Sequence, residues 1–93
     1  LKNCSTCSKQ IIKSDQINDL SMDEIRYLTN DLFATKGYVC KSSDVNNYYS
    51  NIKWYKPTAD NKKIIYNNIE KQNIKLFQDK TSTIKNDRDN FYQ

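Results

Sequence analysis

The sequence predicts an all-α fold: a compact three-helix domain with an irregular N-terminal lead-in and a loose C-terminal tail. Three observations carry this. One Gly and one Pro in 93 residues are too few for the turns of an all-β chain. Apolar residues recur at helical spacing in three separate stretches. A capping box opens the first of them. A chain of this length forms one domain, and a hydrophobic fraction of 37% supplies one modest core.

The first helix is read over residues 22–36. In Ser21-Met22-Asp23-Glu24 the Ser21 hydroxyl can accept from the amide at the third helical position while Glu24 reaches back. Leu20 and Ile25 hold the two places of a hydrophobic staple, and Asp23 and Glu24 suit the positive end of the helix dipole. Met22, Ile25, Leu28, Thr29, Leu32 and Phe33 fall on one side, and Tyr27, Asp31 and Ala34 on the other. Gly37, the only glycine, follows Lys36 as a stop signal, because only glycine takes a left-handed backbone without cost.

After an extended Tyr38-Val39-Cys40-Lys41, Ser42 or Ser43 caps a second helix reaching about residue 52, with Val45, Tyr48, Tyr49 and Ile52 on one face. Trp54-Tyr55-Lys56-Pro57 interrupts it, since proline biases the preceding residue away from helical angles. A third helix is read from Thr58 or Asp60 to about Gln78, lined by Ile65, Tyr66, Ile69, Asn73, Leu76 and Phe77. The organisation expected is therefore a lead-in over 1–19, a helical domain over 20–79 and a tail over 80–93 anchored by Phe91 and Tyr92.

The formal charge of +4 is spread thinly, and 13 of the 15 cations are lysines. Residues 21–40 even carry more carboxylates than cations. That distribution speaks against a nucleic-acid reader, which concentrates its positive charge on one face. The many Asn, Lys and Ile residues match an AT-rich coding bias. No apolar run approaches the roughly 20 residues that span a bilayer, so the chain is not itself membrane-spanning. Its start at Leu1 reads as a piece of a longer protein.

Candidate chemistry is sparse. Cys4-Ser5-Thr6-Cys7 has a spacing shared by local disulfides, half zinc ribbons and redox motifs, and also occurs in plain linkers. With no His and three Cys the chain does not complete a four-ligand zinc site, so neither metal nor cofactor is expected. Both cysteines are expected outside the helical core, and Cys40 inside it as a small hydrophobe. Nucleophilic catalysis requires a positioned base, usually His. A non-enzymatic role follows as the expectation. Glu70 is read as the ion-pair partner of Arg26, and Asn73 as a buried amide bonded to backbone. Trp54, Tyr55 and Tyr48 are the residues open to a ligand, although the core is the first place expected for Trp54 and an equal alternative for Tyr55.

The order of elements over residues 20–77 resembles the YARHG domain family. The resemblance rests on LSMDEIRYLTNDLFATKGY (20–38), NNYYSNIKWYKP (46–57) and NIEKQNI (68–74). Phe33-Ala34-Thr35-Lys36-Gly37 stands where the family has Tyr-Ala-Arg-His-Gly, so any anion site built on that Arg and His is weakened here. The resemblance implies a small extracytoplasmic bacterial module, appended to membrane-anchored or secreted proteins, with no catalytic activity. The function expected is a binding or accessory module whose partner is a cell-envelope component or a protein. The rival is a structural spacer or stabilising domain, and a weaker rival is an accessory piece of a hydrolase.

Overall fold

The computed structural model describes residue 1 and residues 3–91, with side chains as far as Arg88. Three α-helices, α1 (Met22–Thr35), α2 (Ser43–Ser50) and α3 (Asn68–Phe91), are joined by irregular chain and two short 3-10 turns, Ser14–Gln16 and Asn61–Lys63. Among the described residues there is no strand.

Helix α1 begins and ends on side-chain and backbone chemistry that fits its sequence. Ser21 Oγ accepts from the Glu24 N–H and Glu24 Oε1 accepts from the Ser21 N–H, both at 3.1 Å. At the other end Gly37 has φ 84°. Its N–H donates to Ala34 O at 2.9 Å and the Tyr38 N–H donates to Phe33 O at 3.1 Å, the paired bonds of a Schellman motif. Phe33 and Tyr38 seal it with ring centroids 5.2 Å apart. Gly37 has a second task. A Cβ there would lie 2.5 Å from the Lys56 carbonyl oxygen, and Gly37 O accepts from the Thr58 N–H at 2.7 Å. The glycine thus turns the chain and lets the Trp54–Pro57 corner close against it.

The core joins Ile25, Leu28 and Leu32 of α1, Phe77 of α3, and Cys4, Cys7, Ile12 and Ile17 of the N-terminal segment. Cys4 and Cys7 form a disulfide with Cα atoms 4.9 Å apart. The expectation that they lie outside the core is overturned: both are buried. The stripes of α1 and α3 leave a side uncovered, and in a domain this small the lead-in has to supply the missing wall.

Helix α3 corrects the sequence reading at both ends. It starts at Asn68, ten residues after the expected Thr58, and runs through the region read as a loose tail. Asp60 does cap, through its Oδ1 and the Lys62 N–H, but it caps only the short 3-10 turn. Ile65 therefore precedes the helix and stands 84% exposed instead of joining its apolar face. Ile84 continues the stripe beyond Phe77 and packs on the core. The expected anchoring by Phe91 and Tyr92 falls on side chains outside the described residues.

Ala34 and Asp31, read on the outer side of α1, are covered by α2. Ala34 is buried beside Val45 and Tyr49, and the Tyr49 hydroxyl donates to the Asp31 carboxylate. Helix α1 is packed on two sides, so a one-sided helical wheel misplaces its back.

Candidate functional site

Two kinds of polar and aromatic arrangement occur, one closed and one open. The closed one surrounds Glu70. Asn67 and Glu70 cap α3 reciprocally: Asn67 Oδ1 accepts from the Glu70 N–H at 2.7 Å, and Glu70 Oε1 accepts from the Asn67 N–H at 2.8 Å. Ser8 Oγ donates to Glu70 Oε2 at 2.6 Å and Lys36 Nζ lies 3.2 Å from Oε1. Burial pushes the Glu70 carboxyl up, but the bonds from Ser8 and the Asn67 backbone, together with Lys36, outweigh it and hold the group below the ordinary carboxylate value. This is an ionised, fully engaged carboxylate.

The pairing of Glu70 with Arg26 is corrected. The end of α1 lies beside the start of α3, so the two helices run antiparallel, and Arg26 faces Gln78, Thr81 and Ser82. Eight residues of helix, about 12 Å, separate that level from Glu70. Arg26 stays exposed and sits 3.8 Å from Asp23. Lys36 takes the place expected of it.

One turn along α3, the buried Asn73 side chain accepts from the Ile12 N–H at 2.7 Å and donates to Cys7 O at 2.8 Å and Gln10 O at 2.9 Å. A second set of amides serves the extended chain after Gly37. Asn61 bonds both the N–H and the C=O of Val39 at 2.8 Å. Asn46 does the same for Cys40, accepting from its N–H at 2.9 Å and donating to its carbonyl. The Tyr55 hydroxyl donates to Tyr38 O at 2.8 Å. Tyr55 is thus a structural residue, half-buried against Tyr49 with ring centroids 5.8 Å apart. Cys40 is a free thiol, only half-buried.

The open arrangement is aromatic. Tyr48 and Trp54 are 63% and 49% exposed, so the core place expected first for Trp54 is corrected and both rings stay open to solvent. Both flank Tyr49, whose ring centroid lies 5.0 Å from Tyr48 and 6.1 Å from Trp54. Between them and α1 opens a cleft of about 560 Å³, lined also by Asp31, Thr35, Ile52 and Asn3. A second cleft of about 530 Å³ shares Asp31 and Tyr48 with the first. Burial, then the bond to Asp31, raise the Tyr49 phenol far above its ordinary value, so it remains a donor fixing that carboxylate. The sequence reading named Tyr48 and Trp54 but missed Asp31 and Tyr27, which need the α1–α2 packing to be seen as neighbours of Tyr48.

Among the described residues no group of three His, Cys, Asp or Glu side chains is placed to hold a metal ion. No described helix is long and apolar enough to cross a membrane. Neither the curated proteins nor the solved structures contain a match to the chain. The model of the YARHG domain does match, over residues 5–81. The match takes in the disulfide's second cysteine and the Ser8–Glu70, Lys36–Glu70 and Asn73 contacts, and the chain belongs to the YARHG domain family.

Proposed function

We propose that this is a non-enzymatic binding module, working outside the cytoplasm as part of a larger bacterial envelope or secreted protein, with the Tyr48–Trp54 cleft as its contact surface. One observation carries the reading: two large aromatic rings stand uncovered around an open cleft. Exposed aromatic surface of this kind marks contact sites, because a ring offers apolar area and its polar tip tolerates water. The Cys4–Cys7 disulfide supports the compartment, since such bonds persist in oxidising surroundings. Full engagement of Glu70 by Ser8, Asn67 and Lys36 supports a structural role for the one deeply buried carboxylate among the described residues, in place of acid–base work.

The test is co-sedimentation of the domain with washed bacterial envelopes, which offer glycan and protein together. The Tyr48→Ala/Trp54→Ala variant should leave the pellet while its circular dichroism spectrum stays that of the folded domain, with a modestly lowered unfolding midpoint from the lost contacts to Tyr49. If the native domain does not pellet, or pellets no better than the variant, the cleft is not a contact surface and the spacer reading replaces it.

A further inference from the structure

The second cleft differs from the first in charge. It is lined by Tyr27, Asn30, Asp31, Asp44, Tyr48 and Tyr49, so two carboxylates face a space walled by tyrosine rings. Tyr27 and Tyr48 are 65% and 63% exposed. Among the described residues, no lysine or arginine lines either cleft, although the chain carries 15 of them and a formal charge of +4. The local sign is opposite to that of the whole molecule.

From this we infer that the Tyr27–Asp31–Asp44–Tyr48 cleft receives a lysine or arginine side chain of a protein partner, presented on an extended peptide segment whose apolar residue two positions away rests in the Tyr48–Trp54 cleft. The inference rests on the reading of that first cleft as a contact surface, and adds the chemistry of the occupant.

Ammonium and guanidinium groups are attracted both to carboxylates and to the faces of tyrosine rings. Asp31 is held in position by the Tyr49 hydroxyl, so one of the two carboxylates is fixed before anything binds. Asp44 lies in the first turn of α2 and is exposed. The two clefts share Tyr48 and Asp31, which suits an extended chain whose side chains two positions apart, on one face, enter one cleft each. The net positive charge of the domain opposes a uniformly basic partner at long range, so the cation is recognised at close contact and not by general attraction.

The experiment is an amide-resolved NMR titration of the intact domain with three probes: a short peptide repeating lysine–serine–leucine–serine, which sets lysine and leucine on one face, its counterpart with glutamate for lysine, and chitotetraose. The lysine peptide should shift Tyr27, Asp44, Tyr48 and Trp54 and the glutamate peptide should not. Asp44→Asn, which leaves an exposed polar residue in place, should weaken the lysine peptide about threefold, and Asp31→Asn/Asp44→Asn about tenfold, with added salt acting in the same direction. Equal shifts by both peptides, or full affinity in the double variant, overturn the cation site. Shifts at Tyr48 and Trp54 with chitotetraose alone overturn it too, while leaving the aromatic cleft as a contact surface for glycan. If no probe moves the Tyr48 region and the domain also fails to pellet with envelopes, both readings fall.

Discussion

Residues 7–12 and 38–40 are both irregular, and both have their backbone groups answered by side-chain amides, yet the two are built differently. The first is held from one buried point, the Asn73 side chain, with Glu70 and Asn67 beside it. The second is held by three side chains from three places, Asn46, Asn61 and Tyr55, in partly exposed surroundings. The same hydrogen bond has a different worth in each. Where water can replace a lost partner, a bond contributes little; where it cannot, the orphaned group carries its full desolvation cost. Concentration makes the first region rigid and vulnerable, and distribution makes the second tolerant.

The sharpest break is Asn73→Ala. It strands the Ile12 N–H and the Cys7 and Gln10 carbonyls, and should cost about 4 kcal/mol in urea denaturation. A loss below about 1 kcal/mol would mean that water enters this site and that the contrast in depth is wrong.

Next is the Glu70 ion pair. Lys36→Met leaves a buried carboxylate without its cation and should cost about 3 kcal/mol. A double-mutant cycle of Lys36→Met with Glu70→Gln should give clear coupling, whereas Arg26→Met with Glu70→Gln should give none. The pH dependence has a definite sign. Glu70 is held below its unfolded value, so its stabilisation is complete above the ordinary carboxylate range, near pH 4.3, and is lost as pH falls through the folded value. Glu70→Gln should flatten that acid limb of stability.

Gly37→Ala tests the hinge between the regions. The left-handed backbone alone costs about 1–2 kcal/mol for a residue with a Cβ, and the Lys56 carbonyl 2.5 Å from that Cβ adds to it. A total of about 2 kcal/mol is expected from thermal unfolding. The smallest effect belongs to Asn61→Ala, at about 1 kcal/mol, because water can reach Val39. Should Asn61 prove as costly as Asn73, distribution confers no tolerance.

Helix α1 was legible because its signals are local: a capping box, one apolar stripe and a glycine stop lie within 17 residues of sequence. The start of α3 carried a comparable signal in Asn67 and Glu70, three residues apart, but Asp60 offered an earlier cap and drew the boundary forward. Beyond Phe77, among the described residues, only Ile84 packs on the core, too thin a pattern to register as periodicity. The burial of Cys4, Cys7, Ile12 and Ile17 left no periodic trace at all, since it depends on a disulfide and on amides supplied from α3. At the candidate site, Tyr48 and Trp54 stood out by residue type alone. Their neighbours Tyr27 and Asp31 lie some twenty residues earlier and meet them only through packing. The abundance of asparagine is likewise more than coding bias: Asn46, Asn61, Asn67 and Asn73 each make two or more backbone contacts.

The Asn73 contacts also set when the domain can form. Their partners stand 61 to 66 positions earlier in the chain, so the segment around Cys7 and Ile12 waits for α3. Pairings of such long sequence separation slow folding, because a large loop must close before any contact rewards it. Until α3 emerges, Cys4, Cys7, Ile12 and Ile17 have no completed core to enter. The domain therefore closes in one cooperative step, once α3 is present to receive the N-terminal segment.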